Sequence, residues 1–245
     1  MRYEVRYTAD GDEVRQPICC ARCGDSGIVG KGTADKLQMW TAWPCRCDAA
    51  AKGRQAIAGF PRYLDGKTLT TFDWSGHEAK RRAIYEYVKA LGDNLRQGRG
   101  LMLIGGVGTG KTHVACAIAR LACAQSDWLD LVHFVNVPEL LAIVRRSYGK
   151  TSDVEELVTG RLEITDLVVL DDIAAEKSTD WAADLLYRIV NQRYENMLAT
   201  IVTANVDLES LRLRIGERIV SRLYERCVVV DMSGPDYRTQ TRRIK

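Results

Sequence analysis

Residues 105–112 read Gly-Gly-Val-Gly-Thr-Gly-Lys-Thr and fit the G-x-x-x-x-G-K-[ST] pattern of a phosphate-binding loop without a gap. The glycines let backbone N–H groups turn toward a phosphate, and the following helix adds the positive end of its dipole. Lys111 would reach the β and γ oxygens of a nucleoside triphosphate, and Thr112 would give its hydroxyl to Mg²⁺. Because a strand pattern precedes the loop and a helix pattern follows it, a chance glycine-rich turn is the weaker interpretation. The residues expected to bind the nucleotide here are Gly105, Gly106, Val107, Gly108, Thr109, Gly110, Lys111, Thr112 and His113.

Two further apolar strands end in polar side chains that suit nucleotide hydrolysis. Residues 167–171 form an apolar run that closes with Asp171 and continues into Asp172. Asp171 is expected to hold Mg²⁺, usually through water, and Asp172 to orient or deprotonate the attacking water. The strand over residues 199–204 is followed by Asn205, which would hydrogen-bond the γ-phosphate or that water. An isolated Asn at a strand end is more often a turn residue, but its place in this order favours the sensing role.

Arg218 and Arg222 are four residues apart, so on a helix they share one face. An arginine that reaches the γ-phosphate of a neighbouring subunit stabilises the charge of the transition state, and it implies an oligomer. The alternative is a solvated basic helix face, and the sequence alone does not choose between the two.

Five of the eight cysteines cluster near the N-terminus, where little helical periodicity is present. The pairs Cys20/Cys23 and Cys45/Cys47 are separated by 21 residues. Four thiolates on two tight turns can close a tetrahedral site, and sulfur ligands favour Zn²⁺. Cys19 is an alternative to Cys20, and coincidental cysteines or a redox pair are alternatives to zinc. The segment has no obvious core of its own, which makes a metal staple the stronger interpretation.

The rest of the chain alternates helix and strand patterns, which predicts an α/β domain with a mostly parallel sheet. The predicted strands are residues 100–104, 132–136, 167–171, 199–204 and 227–231. The predicted helices are residues 77–91, 111–125, 138–148, one that starts at 152–153, and 180–197. The resulting organisation is a zinc-binding module at 1–54, a linker at 55–69 and an ATPase domain at 70–245.

Bulk composition limits the class of protein. The chain has 245 residues, 46% of them apolar, which is enough for one sizeable core and a small appendage. The net charge of +3 is too weak to indicate nucleic acid by itself. No stretch approaches the ~20 apolar residues that span a bilayer, and the N-terminus lacks the apolar segment of a secretory signal. We therefore expect a cytoplasmic protein with no membrane partner.

Three segments together resemble the AAA+ ATPases of the DnaC/IstB type. They are residues 105–112, 166–176 (DLVVLDDIAAE) and 216–225 (GERIVSRLYE), and residues 60–74 are similar to the lead-in of the same family. The resemblance implies an α/β fold in which a parallel-sheet P-loop AAA+ ATPase domain of the additional-strand class follows a small zinc-ribbon-like domain that docks a partner. A zinc ribbon that binds DNA is the alternative for this domain. It also implies ATP hydrolysis that is slow and stimulated by DNA or a partner, and self-association into a ring or spiral.

The same resemblance implies roles for individual side chains. By carry-over, the catalytic residues are Lys111, Asp172, Asn205, Arg218 and Arg222. Asn205 would be the first sensor, and Arg222 is the better candidate for the arginine finger, with Arg218 beside it. Many AAA+ enzymes have Glu where this chain has Asp172, and the shorter side chain fits slow turnover.

Other residues would contact ligands outside the phosphate loop. Arg238 resembles a second sensor that contacts the nucleotide, and adenine contacts would come from near Phe72 and Trp74. The helix at residues 140–150 matches an insertion of the family that binds single-stranded DNA. The residues that would contact DNA phosphates there are Arg145, Arg146 and Lys150.

The function implied by the resemblance is ATP-dependent loading of a replicative DNA helicase onto single-stranded DNA during replication initiation, with ATP, Mg²⁺ and Zn²⁺ as cofactors. An IstB-like transposition accessory ATPase that acts on duplex DNA is the alternative. The zinc module favours the loader, because a helical N-terminal region is expected in the alternative. A third hypothesis is a binding module in which ATP is a structural ligand, but the intact set of catalytic residues argues against it.

Overall fold

The computed structural model describes residues 58–125, 132–147, 153–175 and 179–240, together with the backbone of four short strands nearer the N-terminus. These short strands form two antiparallel pairs. Strand β1 (Arg2–Tyr7) pairs with β2 (Glu13–Ile18), and β3 (Ile28–Val29) pairs with β4 (Trp43–Pro44). The predicted zinc ligands Cys20, Cys23, Cys45 and Cys47 lie outside the described residues, so the zinc site stays a prediction.

A five-stranded parallel sheet forms the centre of the ATPase domain, with strand order β6-β7-β8-β5-β9. The strands are β5 (Gly100–Ile104), β6 (Val132–Asn136), β7 (Leu167–Asp171), β8 (Ala199–Ala204) and β9 (Cys227–Asp231). All five lie at the residues predicted from the sequence. Strand β8 pairs with both β5 and β7, so it lies between the strand before the phosphate loop and the strand that ends in Asp171. This order confirms the additional-strand α/β fold.

Nine α-helices and one short 3₁₀ helix (Arg62–Leu64) accompany the sheet in the part of the chain that the structure describes. The 3₁₀ helix precedes the α-helices in the chain. The α-helices are α1 (Glu78–Lys89), α2 (Leu91–Arg96), α3 (Lys111–Gln125), α4 (Val137–Ser147), α5 (Asp153–Ile164), α6 (Asp180–Glu195), α7 (Leu208–Ile215), α8 (Glu217–Arg226) and α9 (Tyr237–Gln240). The helix predicted at residues 77–91 is therefore shorter and is followed by a separate helix, with Ala90 between them in a non-helical conformation. The other predicted helices agree to within two residues at each described end. None of the described helices is long and apolar enough to cross a bilayer.

Alternating side chains of the strands enter two cores, one on each face of the sheet. Leu101 and Leu103 of β5 pack with α1, α2 and α3, whereas Met102 and Ile104 pack on the side of α4 to α8. Successive residues of a strand point to opposite faces, so a strand covered on both sides must be apolar throughout. Every residue of β5, β7 and β8 is buried, which explains why their continuous apolar runs were readable in the sequence.

Residues 58–74, here called the strap, run from the β6 edge of the sheet to the phosphate loop. The carbonyl of Ala58 accepts a hydrogen bond from the amide of Phe134 in β6 (2.7 Å). Arg120 of α3 donates to the carbonyl of Leu64 (2.6 Å), and farther along, a His113 ring nitrogen lies 2.8 Å from the carbonyl oxygen of Thr68. Much of the segment predicted as a linker thus packs on the ATPase domain.

Candidate functional site

The phosphate loop joins β5 to α3, and three of its glycines, Gly105, Gly108 and Gly110, have positive φ. At Gly108 (φ 74°) a Cβ would meet the carboxylate of Asp236, and at Gly110 (φ 87°) it would lie 2.2 Å from the ring of Phe72. Left-handed backbone angles are readily adopted only by glycine, and here the absence of a side chain also admits the neighbouring residues. The loop is therefore closely packed from behind, and it leads into the N-terminus of α3, where the helix dipole favours a phosphate.

Lys111 begins α3 with its side chain folded inside the loop. The residue is only 4% exposed, and Nζ donates to the carbonyls of Gly105 (3.0 Å) and Gly106 (2.5 Å). Burial lowers the pKa of the ammonium, while the negative charges of Asp172 and Asp171 raise it. The ammonium thus interacts electrostatically with both carboxylates, in the loop that would bind the β and γ phosphates of a nucleotide.

Asp171 and Thr112 meet at the carboxyl end of β7. Asp171 is buried, accepts a hydrogen bond from Thr203 Oγ1 (2.7 Å) and is also hydrogen-bonded by the side chain of Thr112. Burial raises the pKa of this carboxyl, and the two threonine hydroxyls oppose that rise. A carboxylate beside a hydroxyl is the hard-oxygen donor set that Mg²⁺ prefers, so the two predicted magnesium residues fit the ion.

Asp172 occupies a left-handed backbone conformation, with φ 61°. Such a conformation costs about 1–3 kcal/mol in a residue with a side chain and persists only where neighbouring contacts enforce it. Its amide donates to Thr203 Oγ1 (2.8 Å), and its Oδ1 accepts from Asn205 Nδ2 (2.5 Å). The predicted water-orienting residue and the predicted sensor are thus directly bonded.

Thr203 is a functional residue that the sequence reasoning missed. Its hydroxyl donates to Asp171 and accepts from the amide of Asp172, so one side chain sets both acidic positions. It is one of two threonines in the otherwise apolar run of β8, and it lies two residues before Asn205. That interruption was the available signal, because a buried hydroxyl needs a hydrogen-bond partner.

The short helix α9 places the second predicted sensor beside the phosphate loop. The amide of Tyr237 donates to the carbonyl of Gly108 (3.1 Å), and the amide of Arg238 donates to Asp236 Oδ1 (2.8 Å). The Arg238 side chain is exposed, and its charge contributes to lowering the pKa of Lys111, although burial is the main cause. Arg238 and Lys111 therefore both contribute positive charge near the phosphate loop.

Phe72 and His113 form the rear wall of the loop. Phe72 is buried, with its ring centroid 5.3 Å from that of His113 and 4.4 Å from that of Trp74. His113 is also held by its contact with the strap carbonyl of Thr68. Phe72 thus supports Gly110, and Trp74, which is only partly buried, is the better placed of the two for a ligand base.

Arg218 and Arg222 lie on one side of α8, as the spacing predicted, but their environments differ. Arg222 donates to Asn191 Oδ1 (2.7 Å) and to the hydroxyl of Tyr187 (3.1 Å), and its guanidinium lies 4.9 Å above the Tyr187 ring. Arg218 is exposed, and among the described residues its guanidinium makes no hydrogen bond or ion pair. Neither arginine contacts the phosphate loop of its own chain.

Arg145 and Arg146 occupy the last turn of α4, and both are exposed. The guanidinium of Arg145 lies 5.7 Å from the ring centroid of Trp181 at the start of α6. An open cavity of ≈ 350 Å³ lies between α4 and the loop after Asp172, and both Arg145 and Asp172 line it. The third predicted DNA contact, Lys150, lies outside the described residues.

Comparisons with known proteins identify the family. The family described as IstB-like ATP binding protein matches residues 50–245. The phage-like element PBSX protein XkdC of Bacillus subtilis (strain 168) is 25% identical over 85% of this chain and 79% of its own length. The replicative helicase loader DnaC of Buchnera aphidicola subsp. Baizongia pistaciae is 26% identical over 60% of this chain. This chain spans only 58% of that loader's length.

Solved structures give the same picture of the fold. The crystal structure of the DnaC helicase loader superposes with a TM-score of 0.58 and 27% identity, over 70% of this chain and 99% of that one. The shared part is the P-loop α/β architecture just described.

Proposed function

This chain belongs to the family of IstB-like ATP-binding proteins and is a P-loop ATPase, and from that premise we propose that it loads a replicative DNA helicase onto single-stranded DNA. The observation that carries the proposal is the similarity to the DnaC helicase loader, which extends over nearly all of that solved chain. The bonded group of Asp171, Asp172, Thr203 and Asn205 facing Lys111 supports a working hydrolytic site rather than a structural nucleotide pocket.

In this proposal each residue of the site has a separate task. Lys111 binds the β and γ phosphates, and Thr112 and Asp171 hold Mg²⁺, which neutralises charge on those phosphates. Asp172 holds the attacking water, and Asn205 fixes the orientation of the Asp172 carboxylate through their 2.5 Å hydrogen bond. A carboxylate held in this way accepts a proton without first having to reorient.

We propose that α8 completes the site of a neighbouring subunit. Arg222 remains the preferred finger, because Asn191 and Tyr187 hold its guanidinium in one orientation at the surface. Arg218 extends beside it and would share the phosphate charge. Arg222→Ala is expected to keep ATP binding and lower hydrolysis in the assembled state, and an unchanged assembled rate would transfer the role to Arg218 or remove it from α8.

The DNA contact in this proposal is α4, whose last turn presents Arg145 and Arg146 to solvent. Two exposed guanidinium groups on one turn suit adjacent backbone phosphates, and the resulting affinity would depend strongly on salt. Lys150 would extend the same contact. We expect Arg145→Ala with Arg146→Ala to weaken binding of a dT oligonucleotide at constant salt while leaving nucleotide affinity unchanged.

The helicase contact is assigned to the zinc-binding module. Both β3 and β4 lie in the 21-residue interval between the cysteine pairs, and they pair antiparallel. The spacing of the two cysteine pairs supports one four-thiolate site from Cys20, Cys23, Cys45 and Cys47. Elemental analysis of the purified full chain should find one zinc per chain, lost in Cys20→Ser with Cys23→Ser, and zinc-free wild type would remove this site.

Co-purification with the cognate replicative helicase, with and without ATP, tests the function itself. A loader is expected to form a complex whose stability changes with nucleotide. Failure to bind the helicase together with tight binding of duplex DNA would favour a transposition accessory ATPase, an alternative supported by the IstB-like family match.

A further inference from the structure

Three sets of hydrogen bonds hold the loop that follows Asp172. The amide of Asp172 donates to Thr203 Oγ1, and the amide of Ile173 donates to the carbonyl of Thr203 (3.0 Å). Within the loop, the amide of Ala175 donates to the carbonyl of Asp172 (3.2 Å). The third contact comes from α7, where Arg214 Nη1 donates to the carbonyl of Ala174 (2.7 Å).

The contact from Arg214 is a charged hydrogen bond at a buried place. Ala174 and Ile173 are both buried, and Arg214 is half-buried. A guanidinium that donates to a buried carbonyl fixes the direction of that peptide group more firmly than a neutral donor would. Because Ala174 is two residues after Asp172, the direction of its peptide limits the backbone angles that Asp172 can adopt.

The helix that carries Arg214 is itself well anchored. Asp207 caps the first turn of α7 by accepting from the amide of Ser210 (2.7 Å), and Leu211 and Ile215 are buried beneath it. Arg214 therefore acts from a fixed support. Its neighbour Arg212 is exposed and forms an ion pair with Glu217 (3.5 Å), away from the loop.

We propose that Arg214 is a positioning residue for ATP hydrolysis, which keeps Asp172 in its left-handed conformation by holding the carbonyl of Ala174. The inference rests on the proposed role of Asp172 as the water-holding residue. Without the contact from Arg214, the loop can relax toward ordinary backbone angles, and the Asp172 carboxylate leaves Asn205. Nucleotide binding, which depends on Lys111 and the phosphate loop, is unaffected.

The test compares Arg214→Met with Arg212→Met in the full chain. Methionine keeps most of the arginine stem and removes its donors. We expect Arg214→Met to lower kcat for ATP by about 10- to 100-fold with KM unchanged, which is the effect of losing one charged hydrogen bond on the reacting geometry. Arg212→Met should match wild type, and Arg214→Lys should recover part of the rate because it restores a charged donor.

Two further measurements separate this inference from the role of Asp172. Asp172→Asn should abolish most hydrolysis, and adding Arg214→Met to it should cause no further loss, since both changes act through one carboxylate. A wild-type rate in Asp172→Asn would overturn both proposals. With Asp172→Asn inactive, a wild-type kcat in Arg214→Met, a rise in KM alone, or loss of folding would overturn the role of Arg214 only.

Discussion

Arg193 in α6 is a buried cation that holds together the end of one helix and the start of a strand, and its removal gives a large predicted loss of stability. It is 1% exposed, and Nε donates to Thr200 Oγ1 (2.9 Å). Nη1 donates to the carbonyls of Leu162 (2.5 Å) and Thr165 (2.6 Å), and Nη2 donates to the carbonyl of Ala199 (2.5 Å). Burial lowers the pKa of the guanidinium, and these four acceptors offset part of the cost of its charge.

The perturbation is Arg193→Met, which keeps the apolar stem and removes all four hydrogen bonds. Each bond contributes a net ~1 kcal/mol, and the buried carbonyls at the end of α5 lose their donor. The expected decrease in the free energy of unfolding is about 3–4 kcal/mol. For a chain of this size that corresponds to a fall in Tm of about 6–16 °C.

Urea unfolding followed by far-UV circular dichroism measures the effect, with Arg188→Met as the matched control. Arg188 lies on the same helix and donates to Glu155 Oε1 (2.8 Å), but its side chain is 48% exposed. Its removal should cost less than about 1 kcal/mol because solvent screens that pair. Equal unfolding free energies for the two variants would refute the reasoning, since burial is the main difference between them.

Three further predictions concern the nucleotide site. Lys111→Ala should abolish binding of a fluorescent ATP analogue, and an unchanged affinity would contradict the assignment of the phosphate loop. Burial raises the pKa of Asp171, so between its ordinary and raised values the folded state binds more protons than the unfolded chain and this group's contribution to stability falls as pH rises. Asp171→Asn should therefore leave the Tm of the nucleotide-free protein at pH 7 equal to or higher than that of the wild type. The same change should remove the additional increase in Tm that Mg²⁺ gives in the presence of ATP. A lower Tm of the nucleotide-free variant would contradict this. Gly110→Ala should weaken nucleotide binding, because the new Cβ would lie 2.2 Å from the ring of Phe72 at a residue with positive φ. Gly106→Ala is the control, since no atom outside the adjacent residues lies within 4 Å of its Cβ. Equal nucleotide affinities of the two variants would refute the packing argument.

The five strands and the sites at their ends were predictable because they depend on local pattern. Parallel strands buried on both faces must be continuously apolar, so β5, β7 and β8 stand out against amphipathic helices. The carboxyl ends of parallel strands share one edge, so Lys111, Asp171 and Asn205 were expected together before any distance was known. The structure agrees with that expectation, because the charge of Asp171 acts on Lys111 and Asn205 donates to the neighbouring Asp172.

The contacts that adjust the site were not predictable, because they join residues that only the tertiary fold brings together. Thr203 reaches Asp171 across two neighbouring strands, and Arg214 reaches Ala174 from a helix 40 positions farther along the chain. Arg193 shares the buried stripe of α6 with Ile189 and Val190, but its hydrogen-bond acceptors lie on other elements that only the tertiary fold brings near. Arg188 lies off that stripe and is exposed.

The strap connects the N-terminal part of the chain mechanically to the phosphate loop. Its attachments lie in series, from Ala58 on β6, through Leu64 and Thr68 on α3, to Phe72 behind Gly110. A pulling force on the chain before Ala58 would first load the backbone hydrogen bond between Phe134 and Ala58, and only later the buried ring of Phe72. A truncation of the residues before Ala58 would keep the strap, whereas a truncation that includes Phe72 would remove the ring that packs against Gly110 of the phosphate loop.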